Sequence, residues 1–286
     1  MFTKDSRILN NRLTVPLTSV SNAVGDVFKP TLDQLIKPLF ANNEQGFFYD
    51  PNDLSTMFQD SAGTVPVTSV GQPVGLIRDK SGRNNHAYQT DSASHPILRK
   101  NAVTGANYLE FDGFDDFLQT NNIDFTGTDK VSLFAGVRKQ STTLAMLCEL
   151  SPNLNINNGC FYLTASGGSS ASSSFTTKGT TPQNGSAAAI TGYDSPITIV
   201  LTGKGGIAQD LSEIRINGVL GSSATADQGA GNYGNHPLYI GRRGGTSLPF
   251  NGHIYGLISI GKLTTDSETA AIEKEFAKHT GVTLNV

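Results

Sequence analysis

Six carboxylates crowd the middle of this chain: Glu110, Asp112, Asp115, Asp116, Asp124 and Asp129. A carboxylate pair does acid–base work on a glycosidic bond only when the two groups flank it at a controlled separation. Glu110-x-Asp112-x-x-Asp115 has strand-like spacing, but Gly113 and the turn expected there interrupt the strand. No catalytic residue is therefore assigned. Asp112, Asp115 and Asp116 also offer the oxygens that a hard cation takes, though without EF-hand spacing. Turn capping is the preferred account and no cofactor or metal ligand is assigned; calcium at these three residues is the alternative.

Other reactive residue types are scattered. His95 and His236 each precede a proline, which places them in extended or turn backbone. No His-Glu-x-x-His pair exists. Gly203-Lys204-Gly205-Gly206 lacks phosphate-loop spacing, and Gly245-Thr246-Ser247-Leu248-Pro249 lacks the second glycine of a nucleophile elbow. Cys148 and Cys160 are read as two buried thiols, with a hairpin disulfide as the alternative. The segment richest in recognition chemistry is Asn232, Tyr233, Asn235, His236, Tyr239, Arg242 and Arg243. It combines aromatic faces with planar amide and guanidinium donors, the pairing that sugar hydroxyls and C–H faces require. It contains no Trp, the broadest stacking face, and ordinary sheet-end polarity is the competing account.

The elements that hold these residues are β-strands. Of 286 residues, only 16% are charged and 31 are Gly, which excludes helical bundles and coiled coils. A net charge of −3 argues against a nucleic-acid binder working by phosphate neutralisation. No apolar run is long enough for a signal peptide or a membrane span, so a soluble protein made in the cytoplasm is expected, with no membrane partner.

Strands are predicted at Val131–Arg138, Ile197–Leu201, Ser212–Ile216, Leu238–Ile240 and His253–Ile260. Val131, Leu133, Ala135 and Val137 share one face, and Asn217-Gly218 is a hairpin turn. Asp112-Gly113 is read as another two-residue hairpin, with Leu109, Phe111, Phe114 and Phe117 as apolar contacts. Asp79 to His86 reads as a tight loop capped by Asp and Ser side chains. Ser166–Ser174 and Asn184–Ala189 read as flexible exposed loops. One helix is predicted after Thr265, with Glu268 completing a capping box, Ala271, Ile272, Phe276 and His279 on one face, and Gly281 as terminator.

Residues 1–45 form a separate arm. Leu13, Val15 and Leu17 alternate as in an edge strand, while Leu32, Leu35, Ile36 and Leu39 have helical spacing that Pro38 ends or kinks. Two readings stand open: a strap packed on its own domain, or an anchor that orders on a partner.

An ordered series of motifs carries a resemblance: Asp50 to Asp60, Pro73-Val74-Gly75, Asp79 to Ala87, Tyr108 to Leu118, Pro237 to Arg243 and Phe250 to Gly256. Residues 46–286 resemble the laminin-G-like, concanavalin A-like jelly-roll domains of bacteriophage and prophage virion proteins. The resemblance implies an all-β antiparallel jelly-roll sandwich with a C-terminal helix. It implies a virion surface protein, a tail fibre, tail tip or head appendage whose head binds a host-surface polysaccharide without catalysis. It further implies attachment to other virion proteins through residues 1–45 and a homotrimer. A purely structural decoration protein and a polysaccharide depolymerase are the alternatives, because this sandwich serves many functions.

Overall fold

The structure, a computed structural model, describes residues 30–166, 172–180 and 185–286. The chain divides into two units, Met1–Thr31 and Leu32–Val286, and the second holds everything described below. The expected edge strand at Leu13–Leu17 lies outside the described residues.

Among the described residues, strands form two antiparallel sheets. The first has the order β15-β14-β13-β8-β17-β6-β5, with β1 also paired to β17. Its members are β1 (Gly46–Tyr49), β5 (Ile97–Lys100), β6 (Asn107–Asp112), β8 (Lys130–Lys139), β13 (Ile197–Gly206), β14 (Leu211–Ile216), β15 (Val219–Ala224) and β17 (Asn251–Ile260). The second runs β12-β11-β10-β9-β16-β7-β4-β3-β2. It comprises β2 (Met57–Phe58), β3 (Leu76–Ile77), β4 (Ala87–Tyr88), β7 (Leu118–Asp124), β9 (Ala145–Leu150), β10 (Cys160–Ser166), β11 (Ser173–Lys178), β12 (Ser186–Ile190) and β16 (Asn235–Ile240). This is the antiparallel sandwich that the strand pattern predicts.

Strand alternation builds the core. Val131, Leu133, Ala135 and Val137 of β8 point between the sheets, where they meet Phe47, Phe111, Leu147, Phe161, Phe175 and Leu238. Phe134, of opposite parity, faces outward and lies under α2 (Asp266–Thr280). Both ends of α2 are capped as expected: the Thr265–Glu268 capping box satisfies backbone N–H groups reciprocally at the N-terminus, and Gly281 ends the helix at φ 77°. Ile272 and Phe276 are the buried apolar anchors of α2. Two paired glycines make room for Phe276 on the sheet, since a Cβ at Gly256 or Gly136 would lie 2.7 or 3.0 Å from its ring.

The helical stretch ended at Pro38 is present, and two other expectations change. Leu32–Phe40 folds as a short helix, α1 (Leu32–Ile36), then a 3-10 turn around Pro38, and its Leu32, Ile36, Leu39 and Phe40 pack with Ile272 and Phe276. Asp33 adds an ion pair to Lys80 at 2.7 Å. This stretch is therefore a strap on its own domain. Asp112-Gly113 is not a two-residue hairpin: β6 and β7 belong to different sheets, and residues 113–117 carry the chain across the sandwich. Phe114, at the tip, is 77% exposed. Ser186–Ala189 is strand rather than loop, with Ser186, Ala188 and Ile190 buried on alternate positions. Residues 167–171 of the other expected loop lie outside the described residues, while Ser173 and Ser174 start β11.

Cys148 and Cys160 are free and buried, and burial pushes the Cys160 thiol up to about 12. Asp79 caps as expected: its Oδ1 accepts from the N–H groups of Phe48 and Ser81, and its Oδ2 from Asn85 N–H and the Ser81 hydroxyl.

Candidate functional site

The recognition segment does not form one surface. Tyr233 is a correction: its ring is 1% exposed, sits in the core against Phe161, and its hydroxyl is bonded to Thr177. It cannot stack on a ligand. Asn232 is exposed but its amide donates to the Thr126 carbonyl at 2.6 Å. Asn235 opens β16 opposite Asp124, and His236 is held against the Asn158 carbonyl at 2.9 Å. Arg242 donates to the Thr246 carbonyl at 3.2 Å.

Tyr239 and Arg243 do come together, on the outer face of the second sheet. Strand register lines up Tyr88, Gln119, Tyr239, Glu149 and Tyr162 across β4, β7, β16, β9 and β10. Glu149 is fully buried and accepts from Arg243 Nε at 2.7 Å and from the Leu154 N–H. Burial pushes its carboxyl upward, and Arg243 draws it back. The Arg243 guanidinium stands 5.6 Å from the centre of the Tyr162 ring. Its charge is spent inside the protein.

The acidic trio is assembled at the crossover between the sheets. Asp112, Asp115 and Asp116 bring oxygens within 4.8 Å of one another. Asp112 Oδ1 accepts from the N–H of Phe114 at 2.8 Å, and Asp116 Oδ2 accepts from the N–H of Asp112 at 2.9 Å, so backbone capping occupies both. Burial, reinforced by the neighbouring Asp112, Asp115 and Glu110 charges, raises the Asp116 carboxyl to about 7.

A different site emerges on the outer face of the first sheet, at the C-terminal end of α2. A cavity of about 490 Å³ is lined by Lys100, Asn101, Tyr108, Arg138, Thr198, His253 and Tyr255, among others. Three strands converge there, because register sets His253 of β17 opposite Glu110 of β6 and Arg138 of β8. Tyr108 stacks on His253 with ring centres 4.1 Å apart, and Tyr255 is tilted against Tyr108 at 5.1 Å. Asn101 Nδ2 donates to the Tyr255 hydroxyl at 3.0 Å, leaving the phenolic hydrogen for another acceptor. Arg138 Nη1 donates to Thr198 Oγ1 at 3.1 Å.

His253 is 7% exposed, and burial pushes its imidazole down to about 4, so the ring is neutral at pH 7. Its Nε2 lies 2.7 Å from Gln140 Nε2, an amide nitrogen that can only donate. His253 Nδ1 is buried and has no hydrogen-bond partner among the described residues.

Sequence reasoning missed this site. The available signal was the alternation Tyr108-x-Glu110 and His253-x-Tyr255, polar and aromatic residues on the outer parity of strands whose other parity is core.

No protein-family model and no curated protein matches the sequence. The β-sandwich fold is shared with solved structures of low sequence identity. Similar solved structures include the receptor binding domain of botulinum neurotoxin C/D mosaic serotype, with 12% identity, TM-score 0.52, and coverage of 69% of this chain and 48% of that one. A botulinum neurotoxin type C structure, described in connection with cell entry dependent upon two ganglioside molecules, has 12% identity, TM-score 0.53 and coverage of 82% and 52%. A GH54 α-L-arabinofuranosidase soaked with a cyclic sulfate inhibitor has 13% identity, TM-score 0.56 and coverage of 85% and 65%. This chain spans about half the length of those neurotoxin chains. At such identities the likeness is one of fold.

Proposed function

We propose that this protein is a carbohydrate-binding surface protein of a bacteriophage virion, whose sandwich recognises a host-surface glycan without cleaving it. The observation that carries the reading is the cavity on the first sheet, where Tyr108, His253 and Tyr255 stand beside the donors of Arg138, Lys100 and Asn101. Aromatic surface for C–H contact and convergent planar donors are what a sugar needs. The neurotoxin receptor-binding domains and the ganglioside-dependent neurotoxin of similar fold support the same class of ligand. Binding without catalysis is favoured because no carboxylate lines the cavity, whereas glycosidic cleavage takes two.

The virion setting, the trimer and attachment to other virion proteins rest on the sequence resemblance. In this reading the residues before the Leu32–Phe40 strap supply the attachment. The test is adsorption of the purified full chain to candidate host cells before and after enzymatic removal of surface polysaccharide. Binding lost on stripping, with no reducing ends released, is the expected result. Binding unchanged by stripping would point to a structural decoration protein, and release of reducing ends to a depolymerase.

A further inference from the structure

We infer that the cavity on the first sheet selects an anionic saccharide, holding its acidic group between Lys100 and Arg138; the inference rests on the glycan reading above. The cavity wall carries two cations and no carboxylate, in a chain whose net charge is −3. Three partly buried cations elsewhere have acid partners: Lys80 meets Asp33 and Asp53, Arg215 meets Glu273, and Arg243 meets Glu149, while Lys178 and Arg83 are held by backbone carbonyls. Neither Lys100 nor Arg138 makes an ion pair among the described residues; Arg138 has a hydroxyl partner, Thr198, instead. The nearby acid, Glu110, pairs with Arg99 at 2.7 Å through Oε2, while its Oε1 lies 3.9 Å from His253 Nε2.

The Tyr255 hydroxyl, already accepting from Asn101, has its hydrogen to give. Two cations and this donor suit a ligand rich in acceptors, a carboxylate or sulfate ester flanked by hydroxyl oxygens. A guanidinium beside an ammonium gives a planar fork and a point charge for one anionic group. Tyr108, half-buried at the cavity wall, supplies the apolar surface for the sugar ring.

The experiment measures binding of the full chain to matched pairs that differ in the acid alone. Sialyllactose against lactose and galacturonan oligomers against their methyl esters test a carboxylate, and dextran sulfate against dextran tests a sulfate. We expect one acidic series to bind about tenfold or more tightly than its neutral match. Arg138→Gln and Lys100→Gln should each abolish that preference. Lys274→Gln, the same charge change on the exposed face of α2, should leave it intact. Equal binding of acidic and neutral partners would overturn the inference and keep the glycan reading. An equal loss in Lys274→Gln would reduce the effect to net charge and overturn it too. Failure of every saccharide to bind would remove the glycan reading itself. Lys100 is exposed at the end of β5, so its variant reports on binding even if Arg138→Gln disturbs folding.

Discussion

The two outer faces of this sandwich place the same residue types in opposite circumstances. On the second sheet, Arg243 stands over Tyr162 and pairs with the fully buried Glu149 across the strand. On the first sheet, Arg138 stands among Tyr108, Tyr255 and His253 and meets no carboxylate. An arginine beside tyrosines is a recognition signature on both faces when read from sequence. What separates them is whether register delivers an acid. Arg243, paired with an acid, is part of the fold; Arg138, with a hydroxyl partner alone, keeps its charge for a ligand.

The sharpest way to break that contrast is to remove each arginine. Arg243→Ala should be severely destabilising, by about 3–5 kcal/mol, because it strands a fully buried Glu149. Chemical denaturation checks this, and Glu149→Gln in the same chain should recover part of the loss. A fall below about 1 kcal/mol would mean that Arg243 is as available as Arg138.

The first sheet is itself divided, since α2 covers one part of its outer face and the cavity opens beside the other. Gly256 and Gly136 form the seat for Phe276. Gly256→Ala should overpack that seat and cost about 1–3 kcal/mol, read as a lowered unfolding midpoint. If stability is unchanged, α2 floats on the sheet more loosely than its contacts imply.

Parts of this were legible in sequence because their signals are local. The Thr265–Glu268 capping box, the Asn217-Gly218 turn at φ 49° and 92°, and the alternation of β8 each need only adjacent residues. Asp112-Gly113 misleads because Gly113 at φ 83° serves a crossover between sheets as well as it serves a hairpin. Tyr233 misleads because Gly234 separates it from β16, so its facing does not follow from the strand's parity. The cavity was invisible for a topological reason. Its residues span Lys100 to Gly281, and its strand residues meet because β17 inserts between β6 and β8, an order that no local pattern encodes.

Binding experiments sharpen the contrast at a smaller scale. Tyr108→Ala should weaken glycan binding about tenfold, while Tyr239→Ala, on the opposite face, should leave it within about twofold. Calorimetric titration of both variants with the same saccharide checks this. The reverse ranking would move the site to the second sheet.

The smallest effect lies where the faces join, at Asp116 in the β6–β7 crossover. Its carboxyl is raised to about 7 by burial and by neighbouring acids, against about 3.9 in an unfolded chain. Between those values the folded protein keeps a proton that the unfolded chain has released. Its contribution to stability is therefore complete below about pH 4, declines as pH rises, and is gone above about pH 7. Asp116→Asn keeps an oxygen for the Asp112 N–H and has nothing to titrate. Its stability relative to the parent should rise from pH 5 to pH 8 in parallel urea titrations, and parallel pH profiles would sink the account. Calcium supplies a further discriminant, since a cation bound to the trio would favour the ionised carboxylate. If millimolar calcium flattens the parent's pH slope and leaves Asp116→Asn unchanged, the crossover is a cation site; if the slope persists, backbone capping is its whole role.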